Sequence, residues 1–384
     1  MRLFRCQVCG QTIYFENTRC ERCGSPLGYL PDIGLMSALE PETGPELIRV
    51  LDQTGLLADS GVDERLWLAQ VRPGRRYRPC INAAYGVCNW LVPEDEGETR
   101  CLACRHNGAV SDPEQDDNQT RWRRLEFAKH RLLYSLLRLG LTLPTRAQHR
   151  EGLVFEFLAD PADPTLPRII TGHAKGTVTI ALREADDVER ENMRKLLGEP
   201  YRTLLGHFRH ESGHYFWDRL VRDGGRLEQC RAVFGDDRAD YAKALGAYYA
   251  SGARPGWQKR YISAYATMHP WEDFSETWAH YLHMIDTLET ASAHGIELHG
   301  RDGRDPVNVQ IDFDPYRVES FDPVVESWFP IARAANSLNR SMGLADLYPF
   351  VLTDAVIGKL AFIHRLIREQ RPPAIVGRRA PRAW

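Results

Sequence analysis

Eight of the nine cysteines fall within the first 104 residues, and most of them fall in close pairs. Cys6-x2-Cys9 and Cys20-x2-Cys23 are two short knuckles. Each can turn both thiolates toward one ion at about 2.3 Å, and two knuckles close a tetrahedron around zinc. Gly10 and Gly24 follow the second cysteine of each knuckle, where a chain reversing past a metal favours positive φ. A second set, Cys80-x7-Cys88 with Cys101-x2-Cys104, has one clean knuckle and one stretched one. It predicts a second structural zinc, with His106 as a stand-in ligand should Cys80 or Cys88 be packed in the core instead. Four thiolates leave no open coordination position, so such sites hold a small module together and do no chemistry. Cys230, alone in the helical stretch GRLEQCRAVF, reads as a buried small hydrophobe.

A disulfide reading of the same cysteines would need an oxidising compartment. The opening MRLFRCQVCGQ lacks the apolar core of a secretory signal, and no run of 18 apolar residues occurs, so a cytoplasmic protein without a membrane span is expected. With 49 Lys+Arg against 52 Asp+Glu, a net charge of -3 gives no global basic field for nucleic acid or an anionic membrane. The local basic stretch Arg72 to Arg78 reads as a solvated loop, because the acidic run EDEGET at 94–99 is its neighbour.

The chain divides by composition. Residues 1–109 form the cysteine-rich zinc-ribbon region, 110–121 a polar, acidic linker, 122–370 a largely amphipathic domain, and 371–384 a basic tail around Arg378, Arg379 and Arg382. In the third part, Leu125 to Leu139 has helical spacing, while Leu153 to Leu158 and Gly176 to Leu182 read as strands. Arg168 to Thr171 is expected to pair with the second strand across a Gly-His-Ala-Lys-Gly turn. Helices follow at roughly 186–197, 201–221, 226–234, 236–250, 270–292, 322–342 and 353–370. Strands followed by a run of helices point to an α+β fold.

Within the second of those helices stands His210-Glu211-Ser212-Gly213-His214. Positions i and i+4 share one helix face, so both imidazoles can reach one ion while Glu211 leans toward a water on it. The apolar neighbours Leu204, Leu205, Phe208, Tyr215, Phe216 and Trp217 predict that this helix is buried, where unpartnered histidines and a glutamate would be costly. A later helix carries Glu272 and Glu276, again at i and i+4. One carboxylate can complete a site of two histidines and one glutamate with a fourth position left for water; the other can accept a hydrogen bond from a ligand histidine. Other polar residues take simpler readings: His207 as a polar contact or surface residue, His280 and His283 as packed histidines, and His173 as either a loop residue or a substrate contact. Glu184, Asp186 and Asp187 read as a helix N-cap with favourable first-turn charge.

HESGH followed by EDFSE resembles the gluzincin clan of metallopeptidases, and in detail lethal-factor-type proteases, where a tyrosine seven residues before the ligand glutamate lines the site; here that position is Tyr265. The order of a cysteine-rich ribbon, GEPYRTLLGHFRHESGHYFW and EDFSETWAHYLH is similar to bacterial zinc-binding metallopeptidases with an N-terminal zinc-ribbon domain. The resemblance covers most of residues 1–350. It implies a mainly helical gluzincin-like domain with a small β-sheet, one catalytic zinc beside one or two structural ones, and a peptide or protein substrate. It also implies His210, His214 and Glu272 as ligands, Glu211 as general base, Tyr265 as oxyanion partner and Glu276 as the outer carboxylate. The strand Gly176 to Leu182 is expected to lie beside the cleft, its edge open to an extended peptide. The alternative is an adaptor that contacts nucleic acid or protein through the ribbon, with a non-catalytic helical domain.

Overall fold

The computed structural model describes residues 2–42, 65–115, 117–163, 165–197, 203–299 and 308–370. The basic tail lies outside them. The ribbon begins with a short hairpin, β1 (Phe4–Arg5) and β2 (Thr12–Ile13), whose connection carries the first knuckle. Gly10 and Gly24 both adopt φ of 74°, and each donates its backbone N–H back across a knuckle, to Cys6 and Cys20 respectively, at 2.8 Å. The chain then builds an antiparallel five-stranded sheet from β3 (Leu27–Leu30), β4 (Leu35–Pro41), β5 (Trp67–Ala69), β6 (Arg76–Pro79) and β7 (Leu91–Pro93). Cysteine spacing gives no sign of this sheet. Arg72 and Arg75 pair with Asp32, Arg75 also with Asp95, and Arg76 with Glu94, so the basic stretch is neutralised by its neighbours.

The last strand of the cysteine-rich region belongs to a different sheet. β8 (Asn107–Val110) runs parallel to β9 (Val154–Leu158), followed by β11 (Thr177–Ala181), with β10 (Gly172–Ala174) at the far edge. The hairpin partner of β11 is therefore Gly172–Ala174, residues expected to be the turn, and not Arg168 to Thr171. The turn itself contracts to Lys175 and Gly176, with φ of 48° and 84°. Two consecutive positive-φ residues match the right-handed twist of the flanking strands, which a longer loop need not do.

Eight helices are described: α1 (Asn118–Arg138), α2 (Asp187–Leu197), α3 (Leu204–Phe216), α4 (Leu227–Phe234), α5 (Tyr241–Ser251), α6 (Pro270–Ala293), α7 (Asp322–Ser341) and α8 (Asp354–Glu369). The helix expected over 201–221 is α3 continued by a wider π-helical turn at Trp217–Arg222. α6 is the central helix, buried along most of its length against α3, α4, α7 and α8. The ribbon packs on α1 through rings: Phe15 and Tyr29 meet Tyr134 edge-on at 5.6 and 6.4 Å, and Trp90 stacks on His130 at 5.1 Å. The two parts share one hydrophobic core. The fold is α+β, a zinc-ribbon region followed by a mainly helical domain, and no described helix is long and apolar enough to cross a membrane.

Candidate functional site

α3 starts cleanly because the Thr203 hydroxyl accepts from Gly206 N–H at 2.9 Å, and α6 because His269 caps it ahead of Pro270. Their crossing is unusually close at Gly213, where an added Cβ would lie 2.8 Å from Ser275 Cα. That approach lets side chains from both helices meet. His210 Nε2 lies 3.0 Å from Glu272 Oε2, and His214 Nε2 lies 3.5 Å from Glu272 Oε1. Ligands on a tetrahedral ion with bonds near 2.0–2.1 Å would be separated by about 3.3 Å, so the spacing suits one zinc.

The outward nitrogens are already engaged. His210 Nδ1 lies 2.7 Å from Glu276 Oε1, whose other oxygen accepts from Ser263 Oγ at 2.6 Å. His214 Nδ1 lies 2.7 Å from Ser275 Oγ. With Nδ1 engaged outward on both rings, the Nε2 atoms are the ones left facing the carboxylate, and a cation bound there would take their lone pairs in place of protons. The charges agree. Burial alone would lower the His210 pKa and raise that of Glu272, yet the glutamates hold the first well above its ordinary value and the imidazoles hold the second well below. Glu211 is buried beside them and burial raises its pKa, with Glu272 and Glu184 reinforcing the shift and the two histidines opposing it.

Around this set stand aromatic rings. Trp271 covers His214 with centroids 3.7 Å apart, and the Tyr265 ring is 6.0 Å from that of His210. Tyr241, which the sequence pattern does not single out, donates its hydroxyl to Glu272 Oε1 at 2.8 Å. No motif spacing marks it, since it comes from another helix in an alanine-rich stretch. His173, on β10, has its ring 6.3 Å from His214, and burial lowers its pKa to about 3. Because β11 is flanked by β10 and β9, the edge beside the site belongs to β10, which corrects the expectation for Gly176 to Leu182.

The remaining candidates divide into three groups. His280 hydrogen-bonds Tyr348 at 2.9 Å, His283 packs on Trp328 and Tyr348, and His207 lies 3.4 Å from Glu184, all as contacts within the fold. Asp186 caps α2 as expected, but Glu184 is buried next to α3 and is no first-turn surface charge. Cys230 is buried, which pushes its thiol up to about 12.

Both cysteine sets assemble. Cys6, Cys9, Cys20 and Cys23 bring their sulfurs within 4.8 Å of one another, as do Cys80, Cys88, Cys101 and Cys104. The closest pairs are 3.6 Å apart, far beyond a disulfide and near the roughly 3.8 Å expected of thiolates on one zinc. The first set is partly exposed and the second wholly buried. His106 is not needed as a stand-in; its Nδ1 meets Leu153 O at 2.8 Å instead. His130 of α1 lies beside the second set, its Nε2 3.7 Å from Cys88 Sγ.

A family model described as "Putative zinc-binding metallo-peptidase" matches residues 118–366. The chain belongs to this metallo-peptidase family. A second model, described as a zinc-ribbon domain, matches residues 3–115. Proteins described as uncharacterized from Mycobacterium bovis and Mycobacterium tuberculosis are 38% identical over 378 residues, covering 97% of this chain and 97% of theirs. No solved structure matches. The likeness to these relatives thus spans both parts of the chain, the ribbon and the helical domain.

Proposed function

We propose that this protein is a zinc-dependent peptidase that hydrolyses peptide bonds, with His210, His214 and Glu272 as ligands of the catalytic zinc. The observation that supports this most strongly is the convergence of two Nε2 atoms and one carboxylate whose outer partners are already satisfied. Zinc bound there supplies a Lewis acid for the substrate carbonyl and lowers the pKa of water to about 7. Glu211 acts as general base: its carboxylate is buried within the electrostatic reach of His210, His214 and Glu272, and burial raises its proton affinity toward that of the water it serves. Tyr265 keeps its proton, because burial and Glu272 push its pKa up, and it donates a hydrogen bond to the oxyanion. Glu276 and Ser275 orient the two imidazoles. An extended peptide lies along β10, adding a strand to the sheet edge beside α3. Cys6, Cys9, Cys20 and Cys23 hold one structural zinc and Cys80, Cys88, Cys101 and Cys104 another, which suits a reducing, cytoplasmic setting.

The test uses the full chain. Zinc analysis is expected to give about three ions per chain, falling to about two in His210→Ala/His214→Ala. Glu211→Gln keeps all of them and lowers peptide cleavage by roughly 100-fold to 10,000-fold, the usual contribution of a general base. Undiminished cleavage by that variant would overturn the assignment of Glu211, and absence of cleavage by the wild type across a peptide library would overturn the peptidase reading.

A further inference from the structure

α5 is attached to the protein in an uncommon way. Its sequence, YAKALGAYYAS, is mostly alanine and tyrosine, yet none of its residues is buried. Gly235 and Gly252, with φ of 105° and 68°, stand on either side of it and allow the backbone to leave the body and return sharply. Its ties to the fold run through aromatic rings at the metal centre: Tyr241 packs 5.4 Å from His269 and 5.9 Å from Trp271, and Tyr248 packs 5.6 Å from Tyr265. The most directed tie is the Tyr241 hydroxyl on Glu272 Oε1.

We infer that Tyr241 is a positioning residue for Glu272, and that the same hydrogen bond fastens α5 as a lid over the metal centre. The inference rests on the proposed zinc site. A carboxylate at the first turn of α6 can rotate about its side-chain torsions. The phenol restrains one oxygen while the other faces His210 Nε2, so the ligand set is assembled before the ion arrives. Hydrogen-bond partners of this kind typically change metal affinity by about 10-fold to 100-fold. Coupling between two events is reciprocal: if a closed α5 favours the ion, the ion favours a closed α5 by the same factor. Lid and metal then report on one another. Withdrawal of α5 would take Tyr241 with it, uncover the side of the site where Tyr265 stands, and leave Glu272 one donor short.

Tyr241→Phe retains the ring and its packing and removes the donor. In protein whose two cysteine sites hold zinc, the third site is titrated with zinc against a chromophoric chelator. Its dissociation constant is expected to rise about 10-fold in the variant. With cobalt(II) in that site, the visible bands are expected to change between wild type and variant, which a purely structural tyrosine would not cause. Amide exchange across residues 241–251 is expected to slow when zinc fills the third site in the wild type and to lose that dependence in Tyr241→Phe. Unchanged affinity together with unchanged cobalt bands in the variant would overturn the inference. A wild type that holds no third zinc would instead overturn the proposed function, and this inference with it. Retention of both structural zinc ions by the variant verifies that it folds.

Discussion

Replacing Glu276 by glutamine tests how the site holds His210. The carboxylate meets His210 Nδ1 at 2.7 Å through one oxygen and Ser263 Oγ at 2.6 Å through the other. Glutamine preserves the length of the side chain and an acceptor oxygen but removes the charge. Hydrogen bonds to charged groups contribute about 1.5–3 kcal/mol and neutral ones about 0.5–1.5 kcal/mol, a difference of roughly 1–1.5 kcal/mol. At 1.4 kcal/mol per decade this corresponds to about a 10-fold weaker third zinc. Glu276→Ala, which also leaves Ser263 without its acceptor, is expected to weaken it further. The assay is the chelator competition on protein with both cysteine sites filled, followed by zinc analysis to verify that those sites are unaffected. A Glu276→Gln dissociation constant within about twofold of wild type would refute the argument that this carboxylate orients His210 and makes its Nε2 a better donor.

Two further outcomes follow from the packing. Gly213→Ala improves helix propensity, yet its Cβ would lie 2.8 Å from Ser275 Cα, so α3 has to move off α6; a net loss of roughly 1–3 kcal/mol in denaturant unfolding is expected with a weaker third zinc, and a stabilised variant would contradict the close crossing. His106 is buried, which lowers its pKa to about 4 against an ordinary 6.5, so the unfolded chain takes up a proton that the folded one refuses. Its contribution is intact above pH 6.5 and is lost as the pH falls toward 4, by about 3 kcal/mol, and the pH dependence of unfolding should flatten over that window in His106→Gln.

Much of the site was legible because helical spacing is local. Residues 210 and 214 share a face by geometry alone, and so do 272 and 276, so the candidate ligand set could be written down before the helices were brought together. Cysteine spacing was equally informative, since a knuckle is a turn and turns are encoded nearby. What escaped depends on contacts between distant segments. Tyr241 reaches Glu272 only because the start of α5 comes to lie beside the first turn of α6. Glu184 looked like a cap residue by its neighbours, and its burial comes from the turn at 182–185 packing against α1 and α2, with His207 of α3 3.4 Å from its carboxylate. The assignment of Gly172–Ala174 to a turn failed for a related reason: two residues with positive φ suffice, and sequence composition spread the turn over five.

β8 has a practical consequence for anyone cutting this gene. The stretch 111–117 invites truncation, but a product starting at residue 118 would leave behind the strand that covers β9. The uncovered backbone of Val154–Leu158, with Phe155 and Phe157 on it, would then be a template for other chains, and clumping in the test tube would be mistaken for a poor enzyme. Activity measured on such a fragment says little about the whole.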